Sequence, residues 1–413
     1  MTGTPGTSRL AAAACGVLTA VYLLVGRWTL SRLGDAATEH PFYTEVRFWV
    51  VLLLVCVSLM AKAQPSAGAR GRGGLTVPAL FVFFTYWVAT AAWAPDPVLA
   101  AVKLYEVVLV AAATFGLARA LWSDDSGRVL RWMWAGVLAV AGLLATVALV
   151  RLVTSGAVGE RLSVMGGGPN SFARLMGYLA LAALFFWRRH GRSWLFMPIA
   201  AISLVLVMLS GSRGGLIALV LGVGVFLVSE LRNARRLVPG FVLAAVVFAI
   251  TATYSPIGAA ALETYERRVN QLLLQEQYTS GRTRLYRSAY QLALKEPVFG
   301  DGLAAFSGRR LGVYPHNLFL EAFCEAGILG VALLSLTFGA GAVASLRGER
   351  RPDGSALAGF AFMLVAAQFS GDLFDSRALF AFLLLSSVQP PAAAPVAAGP
   401  PSLRAELASR AGP

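Results

Sequence analysis

Charge is what this sequence has least of. Of its 413 residues only 14% are Asp, Glu, Lys or Arg, while 57% are hydrophobic. That is too little charge to coat a soluble domain of this length, so the bilayer is the expected solvent. Cysteine is as scarce. Cys15, Cys56 and Cys324 lie in or beside apolar runs without metal-ligand spacing, which argues against a disulfide framework or a cysteine metal site. There is no Walker loop, no dinucleotide glycine fingerprint and no external Asp-x-Asp pair. Neither ATP nor a nucleotide sugar is therefore an evident co-substrate, and no metal site or cofactor is expected.

Long apolar runs are what the chain does have. They fall near 10–30, 48–62, 76–93, 98–121, 130–150, 172–187, 193–210, 214–230, 237–253, 318–346, 355–371 and 376–388. Each approaches the ~20 residues a helix needs to cross ~30 Å of hydrocarbon, so the reading is an all-α polytopic membrane protein of about twelve transmembrane helices. The first run lacks a convincing cleavage site behind it and is expected as a retained helix. Residues 1–388 are expected as one transmembrane domain, with residues 389–413, rich in Ala and Pro, as a disordered cytoplasmic tail.

The net charge of +14 belongs to topology. With the N-terminus inside, basic residues recur about three to an inner loop, as at Arg188, Arg189 and Arg192 or Arg347, Arg350 and Arg351, whereas the short outer loops hold fewer. Both termini are thereby placed in the cytoplasm. No continuous basic face exists for a phosphate backbone to follow, so nucleic acid is not an expected partner, whereas membrane lipids are. One soluble-looking stretch, 254–316, interrupts the spans between the ninth and tenth and is expected as a large external helical loop. Within it Ala259 to Gln277 reads as one helix. Ser280 is expected to cap a second running to about Lys295, with Leu285, Ala289 and Leu292 on one face.

Three polar clusters carry possible chemistry. Tyr314-Pro315-His316-Asn317 sits where the loop re-enters the membrane, and an imidazole of ordinary pKa ~6.5 there is a plausible general base. Asn317, Glu321 and Glu325 repeat every four residues, on one helix face where they can orient the imidazole or bind hydroxyls. Ser210 to Gly215 breaks two apolar spans around Arg213, whose guanidinium fork suits phosphate oxygens. The segment from Ser280 to Arg287 places Arg282, Arg284 and Arg287 at the start of a helix, where anions are already favoured. Lys103 and Glu106, three apart inside a span, are expected to neutralise each other as a buried pair. Asp372, Asp375 and Arg377 form a polar external turn within possible reach of the same cavity.

In their order along the chain, with Gly168-Pro169-Asn170 before them and Pro297, Gly300 and Gly302 between the last two, the clusters resemble the bacterial O-antigen ligase and O-antigen polymerase superfamily over roughly residues 165–335. The resemblance implies a GT-C-like membrane glycosyltransferase on the periplasmic face of the inner membrane. It would take a glycan from an undecaprenyl diphosphate carrier to an acceptor sugar such as lipid A core, with inversion and without a metal. On it, His316 is the general base, and Arg213 and Arg282 compensate the diphosphate. Asn317, Glu321, Arg284, Arg287, Asn170 and Ser212 bind substrate. Ligase is preferred to polymerase, and a flippase for the lipid-linked glycan is the reading from another class.

Overall fold

The computed structural model describes residues 5–26, 42–61, 74–124, 126–155, 161–164, 168–190, 195–230, 281–347 and 353–388, together with Ala259, Leu262, Glu263 and Glu266. The expected span at 237–253, the helix from Ala259 to Gln277, Ser280 and the tail lie wholly or mainly outside the described residues. Everything regular that is described is helical. In chain order the helices are α1 (Pro5–Leu24), α2 (Val46–Met60), α3 (Thr76–Ala89, continued by a 3-10 turn Thr90–Trp93), α4 (Pro97–Trp122), α5 (Arg128–Ser155), α6 (Pro169–His190) and α7 (Phe196–Leu209). They continue as α8 (Arg213–Ser229), α9 (Arg282–Ala293), α10 (Ala305–Gly308), α11 (Leu318–Arg347), α12 (Gly354–Ala366) and α13 (Arg377–Ser387).

Among the described residues, four stretches are long and apolar enough to cross a membrane, Thr76–Trp93, Pro97–Trp122, Arg128–Thr154 and Leu318–Ser345. Shorter apolar helices accompany them, α13 being the shortest at 11 residues. The chain is a multi-pass membrane protein by this pattern, although the count of about twelve is not fixed by it. α13 is buried along its whole length, from Arg377 to Ser387. A helix apolar all round belongs at the centre of a bundle, and α13 packs there on α12, α11, α4 and α3. Trp134 stacks on Phe382 at 5.5 Å and Phe84 meets Phe380 at 5.1 Å.

Polar contacts mark the two ends of the bundle. At one, Arg188 at the end of α6 pairs with Glu230 at 2.7 Å, just past α8, and with Asp353 at 3.5 Å, the cap of α12. At the other stand the starts of α6, α8 and α11 and the turn after α12. Helix α9 covers this second end, and its Ala289 and Leu292 are buried against Cys324 of α11, with Leu285 packed beside them, on the face the sequence indicates. The helix begins at Arg282, with Gly281 in a left-handed conformation at φ 72°, and ends at Ala293, short of Lys295.

α11 is broken. Gly327 adopts φ 63° and ψ −166°, and a Cβ there would lie 2.2 Å from the Val298 carbonyl oxygen, so only glycine fits. The backbone groups freed by the break are taken up by residues 297–302. Asp301 and Gly302 N–H donate to the carbonyls of Cys324 and Glu325, and Ile328 and Leu329 N–H donate to those of Pro297 and Val298. Irregular backbone at membrane depth survives only where such partners exist. Tyr86 from α3 adds its hydroxyl to the Ala326 carbonyl at 3.0 Å.

Two expectations are corrected. The run 355–371 is not one helix: α12 stops at Ala366. Arg174 of α6 reaches across and donates to the carbonyls of Ala366 at 3.3 Å, Asp375 at 2.8 Å and Ser370, so the following turn is tied to α6 instead of continuing α12. Nor do Lys103 and Glu106 pair. Lys103 Nζ lies 2.5 Å from both Glu321 Oε1 and Glu325 Oε1 on α11, while Glu106 accepts from Arg47 of α2 at 2.7 Å. A same-helix pair three apart is worth only ~0.2–0.5 kcal/mol, whereas leaving a buried charge unpaired costs several. The inter-helix partners win.

Candidate functional site

The site is assembled by the turn between α12 and α13, which the sequence reading treated as secondary. Its Ala367 carbonyl accepts from Leu318 N–H at the start of α11. The Gln368 carbonyl accepts from Tyr286 of α9 at 2.8 Å and from Asn317 Nδ2 at 3.3 Å. Gly371 N–H donates to His316 Nδ1 at 3.3 Å. One short turn therefore ties together α6, α9 and the mouth of α11.

His316 is half-buried and held in a left-handed backbone conformation at φ 62°. Such a conformation is uncommon for a residue with a Cβ and is found where surrounding contacts enforce it, often at functional sites. Tyr314 packs edge-on against its ring, 4.6 Å between centroids. Because Nδ1 accepts a hydrogen bond, the neutral ring carries its proton on Nε2. Burial first, and then the positive charge of Arg282, push its pKa below the ordinary value; Asp372 pulls the other way and Arg174 adds a lesser push downward. A base is useful only when neutral, so a lowered pKa extends its working range to more acid pH. If His316 is the base, the acid limb of the pH–rate profile should bend below pH ~6.5. In Arg282→Ala, with that repulsion gone, whatever rate remains should bend at higher pH, and an unmoved limb would separate the two groups.

Arg282 opens α9 and is half-buried, with burial and the charges of Arg213 and Arg174 disfavouring its protonated form while Tyr286 favours it. Arg282 lies within electrostatic reach of both Arg213 and Arg174, and His316 within that of Arg282 and Arg174, a concentration of positive charge that an anion relieves. Arg213 is the first residue of α8, itself anion-favouring. Its position is fixed by Ser212, whose Oγ accepts from Gly215 N–H at 3.2 Å and donates to Asn170 Oδ1 at 2.9 Å. Gly214 and Gly215 let α8 approach: a Cβ on the first would meet Phe369 Cβ at 2.5 Å, and on the second Ala173 Cβ at 2.7 Å.

The structure thus brings together His316, Arg282, Arg213 and Asn317, with Ser212 and Asn170 bonded to each other as a brace beneath Arg213. Asn317 caps α11, its Oδ1 accepting from Leu320 N–H at 3.0 Å. Arg284 and Arg287 are exposed on α9, and Glu321 is fully buried on Lys103, turned to the bundle interior. Arg174, Gln368 and Gly371 were not among the site residues read from sequence, whereas Asp372 was indicated there only as part of a polar turn near the cavity. An arginine inside an apolar span is a signal for Arg174, whereas nothing local marks Gln368 or Gly371, whose contributions are backbone groups.

The family model described as O-antigen ligase matches residues 198–335. That stretch runs from α7 into α11 and contains Arg213, Arg282 and His316. The resemblance to the O-antigen ligase and polymerase superfamily is borne out. No curated protein matches the chain.

Proposed function

We propose that this chain, which carries an O-antigen ligase domain over residues 198–335, transfers a glycan from undecaprenyl diphosphate to an acceptor sugar, with lipid A core as the acceptor. Transfer takes place on the periplasmic side of the inner membrane. The observation that carries the reading is that Arg282 lies within electrostatic reach of Arg213, Arg174 and His316 at one end of the bundle.

The acceptor hydroxyl attacks the anomeric carbon as the bond to the diphosphate oxygen breaks, and the electron pair leaves on that oxygen. Arg213 and Arg282 bind the diphosphate and offset its growing charge, the role a metal ion plays elsewhere. The hydroxyl proton goes to His316. Its available lone pair is on Nδ1, where the bond from Gly371 is long at 3.3 Å and gives way to a stronger donor. A single displacement of this kind inverts the anomeric centre. Arg284 and Arg287, exposed on α9, meet the outer part of the substrate, while Asn317 caps α11 and Glu321 ties it to Lys103 of α4.

Polymerase chemistry would use the same parts with a carrier-linked acceptor. Gel analysis of surface polysaccharide in a deletion strain distinguishes them. Loss of a ligase leaves full-length polymer on the carrier and none on lipid A core. Single repeats attached to the core would instead assign polymerase.

A further inference from the structure

Lys103, Glu321 and Glu325 are buried inside two membrane-length helices, α4 and α11, and the mechanism above does not use them as reactants. Their side chains are 13%, 0% and 1% exposed, and one ammonium faces two carboxylates at 2.5 Å each. Glu321 keeps one buried oxygen, Oε2, without a hydrogen-bond partner, whereas the buried Glu325 carboxylate, besides Lys103, has the Trp87 Nε1–H of α3 within reach. Besides Lys103, the charged group that acts on all three from a neighbouring element is Asp372 of the α12–α13 turn, which is negative.

Counting charges leaves the cluster one cation short. With both glutamates ionised it carries a net negative charge in a low-dielectric interior, made worse by Asp372. A buried carboxylate without compensation costs several kcal/mol, and such a group takes up a proton instead. The unpartnered Glu321 Oε2, beside the Glu325 carboxylate that shares Lys103, supplies the place for it.

We propose that Lys103, Glu321 and Glu325 form a binding site for a single proton, held by the two carboxylates so that the cluster is neutral at neutral pH. One carboxyl is then an acid, and the other is the counter-ion of Lys103. The proton site stands independently of the glycosyl-transfer reading. Its consequence for donor binding rests on that reading: Glu321 and Glu325 lie one and two turns below Asn317, and an unneutralised charge there would weaken the hold of Arg174, Arg213 and Arg282 on an anion.

Infrared difference spectroscopy on the purified full-length protein in lipid nanodiscs tests the site directly. Wild type should show a buried carboxylic-acid carbonyl band near neutral pH. Glu321→Gln and Glu325→Gln should each abolish it, because the remaining carboxylate becomes the ionised partner of Lys103, and each should melt close to wild type, since glutamine replaces a neutral acid of the same shape. Lys103→Met removes the cation and should about double the band. Absence of the band in wild type, its survival in either single glutamine variant, or an unchanged intensity in Lys103→Met would overturn the proposal. Should one variant fail to fold, the wild-type band and Lys103→Met still decide it.

Discussion

Replacing His316 by alanine should lower transfer ~10²–10⁴-fold, the range a positioned general base supplies, while leaving carrier binding in place. Among the described residues, the ring is the one histidine at the arginine cluster. Of the chain's three, His190 sits at the opposite end of the bundle, with Nδ1 against the Phe186 carbonyl at 3.2 Å, and makes the matched control. His190→Ala should transfer normally. The alanine at position 316 is also free of a contact with Gly371, so the variant must be shown to melt near wild type before its rate is read. An active, folded His316→Ala would remove the base from the mechanism.

The second large effect is expected at the guanidinium groups. Arg213→Lys keeps the charge and loses the planar fork, and Arg282→Ala loses both. Removing one donor to a developing oxyanion costs ~10²–10³-fold in other enzymes, and a similar loss is expected for each here. Arg213 opens α8 beside two glycines packed against Phe369 and Ala173, so lysine fits the backbone there without disturbing those contacts. Arg284 is exposed on another face of the same first turn of α9 and is the comparison for Arg282. Arg284→Ala should cost much less. Equal losses at both positions would mean that the start of α9 acts only through its overall charge, and wild-type rates in Arg213→Lys and Arg282→Ala would dismiss the diphosphate role.

Much of the helix layout was legible in the sequence because one physical signal, the length of an apolar run, dominates in a membrane. Runs expected at 98–121 and 318–346 appear as Pro97–Trp122 and Leu318–Arg347. The errors arise where long-range contacts compete with local pattern. The apolar run through 371 reads as helix, but Arg174, almost two hundred residues earlier, donates to the Ala366 and Ser370 carbonyls, and the chain turns there. Lys103 and Glu106 read as a pair because they are neighbours along one helix, yet α2 and α11 hold the stronger partners. The break in α11 was marked in sequence only by a glycine, and its cause is a loop segment that supplies four backbone hydrogen bonds. His316, Arg213 and Arg282 could be named from motif order, whereas the turn that positions His316 contributes backbone groups that no motif records.

The proposed reaction is one chemical event at the arginine end of the bundle, and purified protein supplied with an undecaprenyl-diphosphate-linked glycan and a lipid A core acceptor reports on it most directly. Release of undecaprenyl diphosphate together with glycosylated acceptor, sustained in excess EDTA and absent with His316→Ala, is the predicted result. Product that forms only after Mg²⁺ is restored would contradict the arginine-based mechanism, and glycan moved across a vesicle membrane with its diphosphate bond intact would contradict glycosyl transfer itself.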